Sequence, residues 1–164
     1  MVVAAPLDEA AESTRVATVP WPRNERGALA GLKTTSYAEN VVALAHARQR
    51  GATEAIFANL AGHLCEGTGS NVFYVVDGEL RTPTLDSGCL AGVTRRLILE
   101  WYGGREVDEP IEVIAQASEV FLASTTRDVQ AVHRWDDRPL VAPGPITTAA
   151  AEAWREHEQE LLGF

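Results

Sequence analysis

The sequence predicts an α+β fold, a mixed barrel-like β-sheet with helices packed around it. Three observations carry that prediction. Short β-branched runs and helical patterns intermingle without the regular βαβ repeat of a doubly wound sheet. The clearest strand pair, "NVFYVV" and "ELRT", is joined by Asp77-Gly78, the turn chemistry of a hairpin, so part of the sheet is antiparallel. No internal repeat, low-complexity tract or interior linker divides the 164 residues, a length that supports one domain with a sizeable core.

Taken in order, "RVATV" (15–19) alternates and is β-branched, a strand, and "PWPRNERGALAG" reads as a loop. Ser36 with Glu39 three residues on forms a capping-box pattern, opening a helix that runs to about Arg50, with Gly51 as its C-terminal stop. "EAIFANL" (54–60) is a strand turned by "AGH", and the hairpin 71–82 follows, ended by Pro83. "GVTRRLILEWYGG" (92–104) is a helix closed by two glycines, "REVDE" a short strand, and "PIEVIAQA" (110–117) a short helix with proline in its first turn. "EVFLAST" (119–125) and "VQAVHRW" (129–135) are strands around the tight segment "TRD"; "DDRP" turns the chain, and "TTAAAEAWREHEQELL" (147–162) is an amphipathic final helix.

Composition bounds the function. A net charge of −9 argues against a nucleic-acid partner, which needs a basic footprint. No apolar run reaches the length of a membrane span, and "MVVAAPLDEAAE" lacks the basic start of a secretory signal, so a soluble cytoplasmic protein is expected. Cys65 and Cys89 read as two free thiols; the four histidines have no ligand spacing, and no metal is assigned. Patterns of serine hydrolases, dinucleotide binders and P-loop NTPases are absent.

Four stretches are rich in glycine and small hydroxyl residues: "GLKTTSY", "CEGTGSN", "LAGVTRR" and "ASTTRD". The first holds Lys33, the only lysine of the chain beside 13 arginines; its plain reading is a surface residue. In "LAGVTRR" the N–H groups of Val93 and Thr94 and the Thr94 hydroxyl face one point at a helix start, where a phosphate fits; the plain alternative is an ordinary N-cap. Thr125 and Thr126 could add hydroxyls, or simply form a polar turn. Glu66 stands among small residues before an apolar strand, either a carboxylate for a cationic heterocycle or a surface glutamate. The combination exceeds its parts: an amine, a carboxylate and a phosphate cradle are what pyridoxal 5'-phosphate requires.

The chain resembles the fold-type IV pyridoxal-phosphate enzymes, the class IV aminotransferase superfamily, from about Arg15 to Leu140. That group includes branched-chain aminotransferases, D-amino-acid transaminases and 4-amino-4-deoxychorismate lyases. The family signature reads here "LCEGTGSNVFYVVDGELRTPTLDSGCLAGVTRRLILE" (64–100), and "EVFLASTTRDVQAV" (119–132) matches a further segment. "LKTTSYAENVVAL" is closest to the lyase-like members.

The resemblance implies roles residue by residue. Lys33 is the Schiff-base lysine and proton shuttle, and Glu66 the partner of the pyridine nitrogen. Val93 and Thr94 form the phosphate-binding turn, with Thr125 near the phosphate and the substrate carboxylate, Ser124 beside it, and Thr126 beside it on the substrate side. Tyr37 is a looser match to the tyrosine near the phenolic oxygen. Asn71 is the signature asparagine, with a loop-holding or a catalytic role. Arg127, beside Thr126, is expected to meet a substrate carboxylate.

Residues 15–164 are then the larger, C-terminal cofactor-binding domain. Residues 1–14 are a remnant of the interdomain segment, with the usual N-terminal domain and its pocket wall absent. An apolar interface left open in this way would be covered in a homodimer. The leading expectation for function is 4-amino-4-deoxychorismate lyase, acting on a small-molecule amino substrate. The second is a branched-chain or D-amino-acid aminotransferase. The third is a non-catalytic structural domain.

Overall fold

A computed structural model describes residues 11–163, and within them the side chains of all residues except 161 and 162. Most of the segment 1–14, expected as an interdomain remnant, lies outside the described residues. The strands are β1 (Ser13–Thr18), β2 (Glu54–Ala58), β3 (Leu64–Gly67), β4 (Asn71–Val76), β5 (Glu79–Thr82), β6 (Arg105–Glu106), β7 (Glu119–Ser124), β8 (Asp128–Trp135) and β9 (Arg138–Pro139). The helices are α1 (Ala38–Gln49), α2 (Val93–Trp101) and α3 (Pro145–Leu162).

All nine strands form one mixed sheet in the order β3-β2-β1-β8-β7-β4-β5-β6, with β9 on β8. β1 lies between β2 and β8 and is parallel to both, while β4, β7 and β8 pair antiparallel. The sheet curls into a half-barrel. Alternate residues of the same strands feed two cores, as the two-residue side-chain period requires. Val72, Tyr74, Val120 and Leu122 turn inward, with Val113 and Ile114 from the segment Ile111–Ala115. Phe73, Val75, Phe121 and Ala123 turn outward under α2 and α3, where Phe73 and Phe121 stack at 4.8 Å. A third cluster, Ala43, Ala47, Ala55 and Phe57 among it, seats α1 on β1 and β2. Every residue of β4 is therefore buried.

The expected α+β architecture is the observed one, and the Asp77-Gly78 hairpin forms with both residues at positive φ. β3 lies where the sequence marks no strand, and it pairs antiparallel with β2. Three local expectations need correction. The Ser36–Glu39 capping box does not form: α1 begins at Ala38 without a side-chain cap, because the Glu39 carboxylate accepts from Arg23 at 2.7 Å instead. The segment 110–117 is a five-residue 3₁₀ turn. α3 starts two residues early, at Pro145, because Glu119 from β7 accepts the N–H groups of Ile146 (3.2 Å) and Thr147 (2.8 Å) and caps it. Among the described residues no helix is long and apolar enough to cross a membrane.

Candidate active site

Four chain segments meet at one cleft of about 750 Å3. They are the loop from β1 into α1, the end of β3 with its turn into β4, the approach to α2 with its first residues, and the end of β7. Each arrives where a strand ends or a helix begins, so backbone N–H groups and small side chains face the space.

Two carboxylates line the cleft, Glu39 and Glu66, and Glu66 is the more buried. Its Oε2 accepts the Leu90 N–H at 2.8 Å, and its Oε1 lies 3.2 Å from Arg23 Nε. Burial pushes its carboxyl above the usual range; the Leu90 N–H and the Arg23 guanidinium oppose that, and the Glu54 charge adds to it. Asn71 holds the same loop from the other side, its Nδ2 donating to the Leu90 carbonyl at 2.9 Å. That contact leaves no room for a side chain at residue 92: a Cβ there would overlap Asn71 Oδ1. Gly92 is the residue before α2, which therefore opens with no side-chain cap and with the N–H groups of Val93, Thr94 and Arg95 lacking a helical partner. The first helical bond is that of Arg96 N–H to Gly92 C=O, at 3.0 Å.

The turn between β3 and β4 is shaped by a residue that the sequence did not mark. Glu54, 2% exposed, accepts the Thr68 N–H at 3.0 Å, the Thr68 hydroxyl, and the Ser70 hydroxyl at 3.1 Å. Arg127 supplies its counter-charge at 3.5 Å and also bonds Gln130. A glutamate at the start of an apolar strand normally reads as a strand-end surface residue; its partners lie 14 to 73 positions away.

Lys33, Tyr37, Glu66, Asn71, Val93, Thr94, Ser124, Thr125 and Thr126 all line the cleft. Lys33 is exposed on it, Tyr37 stands 41% exposed at the residue before α1, and Thr94 is buried. Ser124 and Thr126 bring their hydroxyls to 3.4 Å. Arg127 does not line the cleft; its side chain contacts Glu54 and Gln130. Arg23, read as a plain loop residue, lines the cleft beside Glu66.

A model of the amino-transferase class IV family matches residues 1–135. The first curated relatives matched are branched-chain-amino-acid aminotransferases, 30% to 36% identical, and the chain spans 39% to 46% of their length. The fold of a branched-chain aminotransferase from Thermoproteus uzoniensis, solved with norvaline, superposes with a TM-score of 0.86 at 33% identity, over 98% of this chain and 56% of that one. The PLP form of a branched-chain aminotransferase from Thermobaculum terrenum gives 0.82 at 32% identity, over 88% and 50%. A candidate 4-amino-4-deoxychorismate lyase from Legionella pneumophila gives 0.85 over 94% and 59%; at 24% identity that likeness speaks to the fold alone.

Proposed function

The chain belongs to the class IV aminotransferases, and on that premise we propose that it is the cofactor-binding part of a pyridoxal 5'-phosphate enzyme acting on a small amino compound, with Lys33 as the catalytic amine. The observation that carries this reading is the convergence on one cleft of a lysine, a partly buried carboxylate and an uncapped helix N-terminus. These residues fit the group by its chemistry. The phosphate is matched by the bare N–H groups and hydroxyl at Val93 and Thr94, favoured further by the α2 dipole. Glu66 can accept from a protonated ring nitrogen.

When bound, the cofactor supplies an electron-accepting ring beside the reacting carbon of the substrate. Lys33 holds and returns the proton of that carbon, the task of a positioned amine. Thr125, with Ser124 and Thr126, would hold the phosphate or a substrate carboxylate by hydroxyl donation, and Tyr37 would serve the ring's phenolic oxygen. Asn71 keeps the 88–92 loop in place. The exposed apolar side chains Leu29, Leu32 and Val93 on the cleft wall are assigned to contact in a homodimer.

Within this chemistry the leading reading is 4-amino-4-deoxychorismate lyase, supported by the "KTTSY" stretch at 33–37. The second is amino transfer from branched-chain amino acids, supported by the curated relatives. The test adds pyridoxal 5'-phosphate to the purified protein and to Lys33→Ala and records visible spectra. A new band should form in the wild type alone, since no other lysine exists to replace Lys33; identical spectra would sink the assignment. Assay of 4-aminobenzoate from aminodeoxychorismate against 2-oxo acid from leucine then separates the two readings.

A further inference from the structure

The side chain of Arg23 has little freedom. Its guanidinium carbon lies 4.1 Å over the Phe57 ring centre. Nη1 donates to Glu39 Oε2 at 2.7 Å and Nη2 to Asn40 Oδ1 at 2.9 Å, while Nε makes no aligned hydrogen bond and lies 3.2 Å from Glu66 Oε1 as an ion pair. Asn40 in turn donates to the Thr68 carbonyl at 3.0 Å, and the Arg23 N–H donates to the Ala58 carbonyl at 2.7 Å. One guanidinium thus ties the first turn of α1, the strand end of β2 and the carboxylate at the end of β3.

The charged and titratable groups around Glu66 come from every packed element. They are Arg23 from the loop after β1, Glu54 from β2, Cys65 on its own strand, and Cys89 from the loop before α2. Arg23 is the cation among them. Without it Glu66 would keep the Leu90 N–H but face burial and the Glu54 charge uncompensated.

We propose that Arg23 is the positioning residue for Glu66: it keeps that carboxylate ionised and turned into the cleft, ready to accept the N–H of a cationic ring. The ring half of this statement rests on the cofactor reading above; the Arg23–Glu66 half does not. A merely structural arginine would change stability without changing the proton affinity of Glu66, and the two roles separate on that point.

The experiment follows the Glu66 side-chain carboxyl by ¹³C NMR in the cofactor-free full chain, its signal assigned by its loss in Glu66→Gln. Arg23→Gln should move the Glu66 titration upward by about one pH unit or more, the effect of removing an adjacent opposite charge. Arg23→Lys, which keeps the charge and guards against a simple folding loss, should return it most of the way. A Glu66 titration that stays in place in Arg23→Gln overturns the proposal. Affinity for pyridoxal 5'-phosphate, measured against pH in the same proteins, should lose its acid side at a correspondingly higher pH in Arg23→Gln. An unmoved acid side with a moved carboxyl titration overturns the positioning role. Failure of the wild type to bind the cofactor at any pH instead overturns the cofactor reading, while the carboxyl titration still decides the Arg23–Glu66 relation.

Discussion

Replacing Gly92 by alanine should destabilise the protein by about 2–4 kcal/mol, although the backbone there suits any residue. Gly92 has φ −64° and ψ 139°, so the methyl group meets no conformational penalty. The cost is steric. The added Cβ overlaps Asn71 Oδ1 and stands 3.3 Å from its Cγ. Asn71 is only 5% exposed and cannot swing clear without withdrawing its donor from the Leu90 carbonyl. Overpacking of this kind costs about 1–3 kcal/mol, and the Asn71 amide withdrawn from its acceptor a similar amount, while the Leu90 carbonyl keeps the Gly92 N–H. Urea unfolding measures the loss as a lower midpoint at an unchanged slope. A double-mutant cycle isolates the cause. Asn71→Ala alone should cost about 1–3 kcal/mol, and Gly92→Ala added to it less than about 1, because the obstructing amide is gone. Additive losses, or a Gly92→Ala protein as stable as wild type, would refute the overlap as the reason for glycine at this position.

Three further outcomes follow from the buried polar groups. Glu119→Ala removes the acceptor of two N–H groups at the start of α3 and should cost about 2–3 kcal/mol in urea unfolding, whereas Glu119→Gln, which keeps an acceptor, should cost less. Burial pushes the thiols of Cys65 and Cys89 up, so at mildly alkaline pH neither should react with a disulfide reagent in the native protein, and both should react once urea unfolds it; fast labelling of the native state would contradict their burial. The Glu66 carboxyl is raised in the fold, so the native state holds its proton over a pH range where the unfolded chain, with an ordinary value of about 4.3, has released it. Its contribution to stability is therefore full below that value and declines as pH rises through the folded one, and Glu66→Gln should remove this decline from a plot of unfolding free energy against pH.

Local signals made much of the fold legible. The hairpin 71–82 announced itself through Asp77-Gly78 between β-branched runs, and α2 and α3 through apolar periodicity. Three of the four glycine- and hydroxyl-rich stretches sit where the sequence predicts a strand end or a helix start, and the cleft gathers residues from all four. What stayed hidden depends on partners far along the chain. β3 is four residues of mixed polarity whose pairing with β2 decides its form. Ser36 and Glu39 have the spacing of a capping box, but an arginine 16 positions upstream competes for the carboxylate and wins. Arg127 sits one residue from Thr126, yet a buried glutamate 73 positions away takes its charge. Glu54, which shapes the cleft from behind, and Arg23, which lines it, carry no local pattern at all.

The central place of β1 bears on how the protein is made. β1 leaves the ribosome first among the described strands, but one of its two neighbours, β8, is synthesised far later; Thr18 and Asp136, bonded at the end of the β1–β8 seam, are 118 positions apart. At ~5–20 residues per second, the nascent chain waits roughly 6–24 s for that partner. During the wait β1, β2 and α1 can close their own small cluster, while the other edge of β1 stays open to any extended chain nearby. The half of the cleft that holds Lys33 and Glu66 is thus synthesised before the half that holds Thr94 and Thr125. Association of nascent chains, and the call on chaperones, should be greatest in that interval and fall once β8 is seated.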